Sequence, residues 1–157
     1  MAASSGISTY LRLFKGRADY LAQQGEDRYF PIQGSLEPFH ISRHFEGDVT
    51  FGLYVLTSQS TCHLVCVDVD IPKADLDQVD FRDRAAKYGR LAPLLAAISH
   101  ALETDFGIPR ESMLLEETGG RGYHVWVLLA APLSGETAVA FGRALKSRLS
   151  FDVEFFP

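Results

Sequence analysis

Cysteine is scarce in this chain: Cys62 and Cys66 are the only two among 157 residues. Four positions apart on one strand, their Cα atoms would stand roughly 13 Å apart. A disulfide needs ~4.4–6.8 Å, so no disulfide framework is present and both read as buried thiols of a cytosolic protein. Zinc needs further ligands at suitable spacing, and His63 falls on the opposite face of the strand. Long apolar runs are missing too. None approaches the ~18 residues of a membrane helix, and Met1–Ser5 lacks the basic stretch and apolar core of a signal peptide. Positive charge is in deficit: 15 Lys and Arg against 20 Asp and Glu leave a formal net charge of -5. A wholly basic surface is excluded, so contact with nucleic acid must use a local patch or metal ions. What remains is ordinary. With 46% hydrophobic and 22% charged residues, the chain has the composition of a packed globular protein, at a length that suits one domain.

Periodicity predicts the elements. Leu11, Phe14, Ala18 and Leu21 recur at helical spacing, predicting a helix over Ser8–Gln24 that Gly25 stops. Residues 26–50 read as irregular, with a helical turn at Glu37–Phe45. Phe51–Leu56 and Cys62–Asp70 read as strands joined by a polar, hairpin-like Thr57–Thr61. Asp80 is placed to cap a long helix from Phe81 to Phe106, kinked or divided at Pro93. Ser112–Glu117 and Tyr123–Leu129 read as strands. Ser134 is placed to cap a helix to about Leu149, and Phe151–Phe156 reads as a last strand. Strands interleaved with helices predict an α+β fold, a mixed or antiparallel sheet with helices packed on it.

Four segments carry chemistry. Leu64-Val-Cys-Val-Asp68-Val-Asp70 is an apolar, β-branched run ending in two acids. On a strand, i and i+2 share a face, so Asp68 and Asp70 project together, about 6.6 Å apart. Paired carboxylates repel unless a cation lies between them, and Mg²⁺ or Mn²⁺ suits such oxygen donors. The plain alternative is a strand that ends in solvent. Next, Glu117-Thr-Gly-Gly-Arg-Gly-Tyr-His124-Val-Trp126 places Gly119, Gly120 and Gly122 within four residues. Their backbone N–H groups can turn toward an anion, with Thr118 adding a hydroxyl, Arg121 a cation and His124 an oriented imidazole. No Gly-Lys-Ser/Thr follows, so this is no P-loop; a tight turn beside a core histidine is the alternative. Third, Asp152 and Glu154 alternate on a short strand. Fourth, Leu13-Phe-Lys-Gly-Arg-Ala-Asp19 carries Lys15 and Arg17.

In this order and spacing the four segments resemble the archaeo-eukaryotic primase superfamily of primase-polymerases, most nearly the primase domain of TOTE conflict systems and the CRISPR-associated primase-polymerases. The leading Leu13–Asp19, then His44-Phe-Glu-Gly47 and Gly52-Leu-Tyr54, the acidic strand Val65–Asp70, the signature Glu117–Trp126 and the closing Glu154-Phe-Phe-Pro157 all look like family segments. The resemblance covers nearly the whole chain. It departs from the family in having Thr118 where Ser is usual and Gly122 two residues before the histidine.

The resemblance implies a fold and a set of roles. The acids would lie on an α+β sheet covered by helices on its other side. Asp68, Asp70 and Glu154 would be catalytic carboxylates and metal ligands for Mg²⁺ or Mn²⁺, with Asp152 as substitute for Glu154. Two metals would serve nucleotidyl transfer. Thr118, Gly119, Gly120, Arg121, Gly122 and His124 would bind the nucleotide. Lys15, Arg17 and Arg121 would face the substrate. Substrates and partners would be nucleoside triphosphates and a DNA or RNA template and primer, with a fused or associated helicase, nuclease or CRISPR component, in the cytoplasm and away from membranes. Residues 1–157 would be one catalytic domain cut at its third motif, because the family continues beyond the Phe-Pro step. The rivals are a metal-dependent nuclease or phosphohydrolase, and an inactive nucleotide- or nucleic-acid-binding fragment.

Overall fold

The computed structural model describes residues 2–26 and 28–157. The chain forms two compact units, Met1–Leu64 with Ala130–Gly135, and Val65–Leu129 with Glu136–Pro157.

The first unit holds α1 (Ala2–Leu13), β1 (Tyr20–Gln24), β2 (Tyr29–Gln33), α2 (Pro38–Phe45) and β3 (Phe51–Gly52), with its sheet in the order β2-β1-β3. Pairing is antiparallel, Leu21 opposite Ile32 and Ala22 opposite both Pro31 and Gly52. The helix expected over Ser8–Gln24 therefore ends at Leu13 and gives way to a strand. Gly16 is the physical reason. A Cβ there would run into Leu53 and the Tyr54 carbonyl, and the Arg17 N–H donates to that same carbonyl at 2.8 Å. The chain leaves the helix to make this contact, and β1 then satisfies its backbone in the ladder. β2, unread in the sequence, is a mostly exposed strand carrying Pro31, so it lacks the alternation that marks a half-buried strand. α2 begins where the turn at Glu37 predicts, with Glu37 and His40 forming a reciprocal cap. The link Thr57–Thr61 is a tight turn, Thr57 N–H to Thr61 carbonyl at 2.8 Å, but it joins strands of different sheets and is no hairpin.

β4 (Thr61–Asp70) and β6 (Gly122–Ser134) each contribute residues to both units. With β5 (Met113–Glu117) and β7 (Glu154–Phe156) they form the second sheet, in the order β5-β6-β4-β7. β5 and β7 run antiparallel to their neighbours. So do β4 and β6: Ile71 bonds the Arg121 carbonyl, and Gly135 bonds the Ser60 carbonyl. The second unit adds α3 (Arg84–Thr104) and α4 (Gly135–Lys146). Asp83, not Asp80, caps α3, accepting from the Ala85 and Ala86 N–H groups. Pro93 does not divide α3. It lies on the exposed face, as does Gly89 four residues earlier, whose unbonded carbonyl can turn to water.

Both helices cover one face of this sheet. Tyr88 meets Tyr123 edge-on at 6.0 Å, and Phe141 meets Phe155 at 5.7 Å. Val65, Val67, Val69, Val125, Val127, Leu91, Ile98, Leu102 and Leu145 are all buried. Alternation then sends Asp68, Asp70, His124 and Trp126 to the opposite face. An α+β fold of antiparallel sheets and helices is the class expected from the sequence, though the strands form two sheets. No described helix is long and apolar enough to cross a membrane.

Candidate functional site

Alternation along β4 is the starting point. Val65, Val67 and Val69 are buried on one face, and Asp68 and Asp70 lie on the other, which Cys62, Leu64 and Cys66 share as buried residues. β7 adds to this face through register, with Val67 opposite Phe155 and Asp68 opposite Glu154. Like charges directly opposite destabilise a strand pair, and here a third carboxylate lies two residues along. Burial raises the Asp68 pKa; the His124 charge works against the rise, while Asp70 and Glu154 add to it. Asp68 Oδ1 is buried and has no hydrogen-bond partner among the described residues, a position that costs ~1–3 kcal/mol when left unsatisfied. Asp152 stands apart, fully solvated outside the strand with Lys146 Nζ 3.4 Å away.

Asp70 has a different partner. Arg121 Nε donates to its Oδ2 at 2.6 Å. Beside this pair, a Cβ on Gly122 would collide with the Asp70 carboxylate and with the Val69 carbonyl. Glycine at 122 thus lets the loop close onto β4.

His124 lies across from Glu116 in the β5–β6 hairpin. Its Nδ1 is 2.9 Å from Glu116 Oε2, and Trp126 Nε1 donates to that same oxygen at 2.7 Å. The other ring nitrogen, Nε2, is 3.9 Å from the unpartnered Asp68 Oδ1. Burial disfavours the imidazolium, but the Glu116 hydrogen bond and the charges of Asp68, Glu116 and Asp70 outweigh it, so the His124 pKa is raised.

The turn from Thr118 to Gly122 is closed by its own threonine. Thr118 Oγ1 donates to the Gly122 carbonyl at 2.9 Å and accepts the Gly122 N–H at 3.2 Å. Its one hydroxyl hydrogen is thereby used inside the loop. Gly119, Gly120 and Gly122 are not among the glycines in the left-handed region. Gly119 has open space where a Cβ would stand, and a Cβ on Gly120 would meet only the Thr118 hydroxyl, at 3.8 Å.

Beneath the loop is Lys87, 2% exposed. Its Nζ donates to the carbonyls of Gly120 at 2.9 Å and Thr118 at 3.2 Å, and pairs with Glu117 at 2.8 Å. Lys87, and after it Arg84, holds the Glu117 carboxyl below the ordinary range.

Sequence reasoning missed Glu116 and Lys87. For Glu116 the signal was available: a hairpin centred on the glycine loop puts 116 opposite 124. Lys87 was visible as a lysine at the head of the apolar stripe Leu91, Leu95, Ile98 and Leu102.

The donors on the Asp68 face are carboxylate oxygens, one of them buried and unpartnered, which suits a hard divalent cation such as Mg²⁺ or Mn²⁺. Among the described residues, no three His, Cys, Asp or Glu side chains are already grouped to hold a metal; Asp70 is turned to Arg121 instead. Cys62 and Cys66 are free and buried, and burial raises both thiol pKa values. Arg17, in the first unit, is engaged by Asp19 through two bonds of 2.6 and 2.9 Å.

The family model for the TOTE conflict system archaeo-eukaryotic primase domain matches residues 34–155. No curated protein matches the chain.

Proposed function

Because the chain belongs to the TOTE conflict system archaeo-eukaryotic primase domain family, a family of primase-type nucleotidyltransferases, we propose that its second unit carries out template-directed nucleotidyl transfer. Nucleoside triphosphates would be the substrates and a DNA or RNA strand the template. One observation carries the reading: Asp68 feels the charges of His124, Asp70 and Glu154 on one face of the sheet, beside a loop with open space at Gly119.

The residues divide the work. Asp68 and Glu154, with Asp70 once it parts from Arg121, would hold Mg²⁺ or Mn²⁺. That cation would supply positive charge to the triphosphate and to the attacking 3′-hydroxyl. His124, protonated over a widened pH range and oriented by Glu116, presents Nε2–H to a phosphate oxygen. Arg121 has a fork suited to phosphate and can exchange one anion, Asp70, for another. The Gly119–Arg121 backbone offers N–H groups to the same phosphates, a task the Thr118 hydroxyl does not share in this arrangement. Fixed donors aimed at the triphosphate need no reorganisation when charge moves, which is how such sites lower a barrier.

Extension of a labelled primer on a DNA template, with Mn²⁺ and either ribo- or deoxyribonucleotides, tests this. The expected result is strand growth that falls about a hundredfold or more in Asp68→Asn/Asp70→Asn. Strand shortening instead would establish a nuclease. Nucleotide binding without growth or cleavage would leave a binding module.

A further inference from the structure

Resting on the nucleotidyl-transfer reading, we propose that Lys87 is a positioning residue: it pins the Thr118–Gly122 loop from beneath so that the loop's backbone N–H groups face the triphosphate.

The argument is geometric. A trans peptide is planar, so the carbonyl of residue i and the N–H of residue i+1 point in opposite directions. Lys87 Nζ holds the carbonyls of Thr118 and Gly120 at 3.2 and 2.9 Å. The N–H groups of Gly119 and Arg121 therefore point away from Lys87. Neither has a protein acceptor among the described residues. A backbone N–H that no protein group accepts is a donor kept for water or a ligand. At Gly119 nothing lies within 4 Å of where a Cβ would stand. No left-handed glycine forces this arrangement, and the Lys87 bonds are the ones that hold the Thr118 and Gly120 carbonyls.

A buried lysine is costly without partners, and this one is fully occupied. Besides the two carbonyls it has Glu117 at 2.8 Å and the Tyr123 ring at 5.6 Å. Its cation sits directly behind the two carbonyls. It polarises both peptides and strengthens their outward N–H donors. Arg84 also pairs with Glu117, so one carboxylate is set against two cations and the ground beneath the loop is net positive. Thr118 closes the loop laterally and Lys87 fixes its tilt.

The probe is inorganic tripolyphosphate with Mg²⁺, titrated into the full chain. Amide NMR of the wild type should show saturable shifts at the Gly119 and Arg121 N–H. Lys87→Met should weaken tripolyphosphate binding by about tenfold or more. In primer extension it should raise KM for the nucleotide far more than it lowers kcat, and Lys87→Arg should restore part of the loss. Leu145→Ala, a core change in α4, is the control for lost stability: it should lower Tm and leave affinity unchanged. Binding in the wild type with both amides unmoved overturns the proposal, even where Lys87→Met does not fold. So does a Lys87→Met chain that binds within about twofold of wild type. Primer extension by a wild type that binds through other groups would sink Lys87 alone. A wild type that binds neither tripolyphosphate nor a nucleoside triphosphate removes the nucleotidyl-transfer reading and this proposal with it.

Discussion

Glu116 and Glu117 are neighbours in sequence with opposite assignments, because a strand sends them to opposite faces. Glu116 faces His124 and Trp126, and Glu117 faces Lys87 and Arg84. Each assignment has a measurable consequence. Glu116→Gln removes a negative charge that favours the imidazolium, so the His124 pKa should fall. The His124 ring-proton shift followed against pH reads this directly, and an unchanged midpoint would refute it. Glu117 is held by its cations below the ordinary carboxyl value of 4.5. Its folded pKa is therefore lower than its unfolded one, and its contribution to stability is complete above ~4.5 and lost as pH falls through the folded value. The Tm gap between wild type and Glu117→Gln should be constant at neutral pH and close as the pH is taken below ~4.5.

Glycines play two roles among the elements. Gly142 lies in α4, where alanine has the better intrinsic propensity by ~0.8–1 kcal/mol. Yet a Cβ there would drive into the Phe155 ring, and Phe155 is fixed opposite Val67 in the sheet. Overpacking costs ~1–3 kcal/mol, so Gly142→Ala should lower the denaturant midpoint with no change in m. A raised midpoint would show that α4 can move aside. The elements also show where pattern reading succeeds. β4 was legible because its apolar, β-branched run, buried on both faces from Leu64 to Val67, ends in two acids, and β6 because its β-branched and aromatic run follows a glycine turn. α2 was read only as a helical turn at Glu37–Phe45, and α4 from Ser134 just before its start. α1 was overextended because Leu11, Phe14, Ala18 and Leu21 keep helical spacing across a break. The break comes from Gly16 meeting Leu53 and Tyr54, some forty residues away, which no local window contains.

For the whole molecule, the two compact units are not two consecutive stretches of chain. The boundary at Leu64 falls inside β4, and the one at Ala130 falls inside β6. A strand that serves two units cannot lose its pairing in one without fraying into the other. Scanning calorimetry should therefore give a single transition with equal calorimetric and van't Hoff enthalpies. Two resolved peaks would show that the units melt independently.

The sequence by itself determined the class of fold, the family and the residues from which a site could be drawn. Alternation assigns Asp68 and Asp70 to one face wherever that strand lies, and the order of the segments carries the resemblance. Tertiary structure alone decided how those residues are engaged. Register set Glu154 opposite Asp68 while Asp152 went to solvent beside Lys146. Arg121 is bonded to Asp70, and the Thr118 hydroxyl closes its own loop. Lys87 is buried beneath that loop, thirty-one residues before Thr118 in sequence. The physical reason is range. Periodicity is a property of neighbouring residues, whereas a hydrogen-bond partner is whichever group the packed chain brings within about 3 Å.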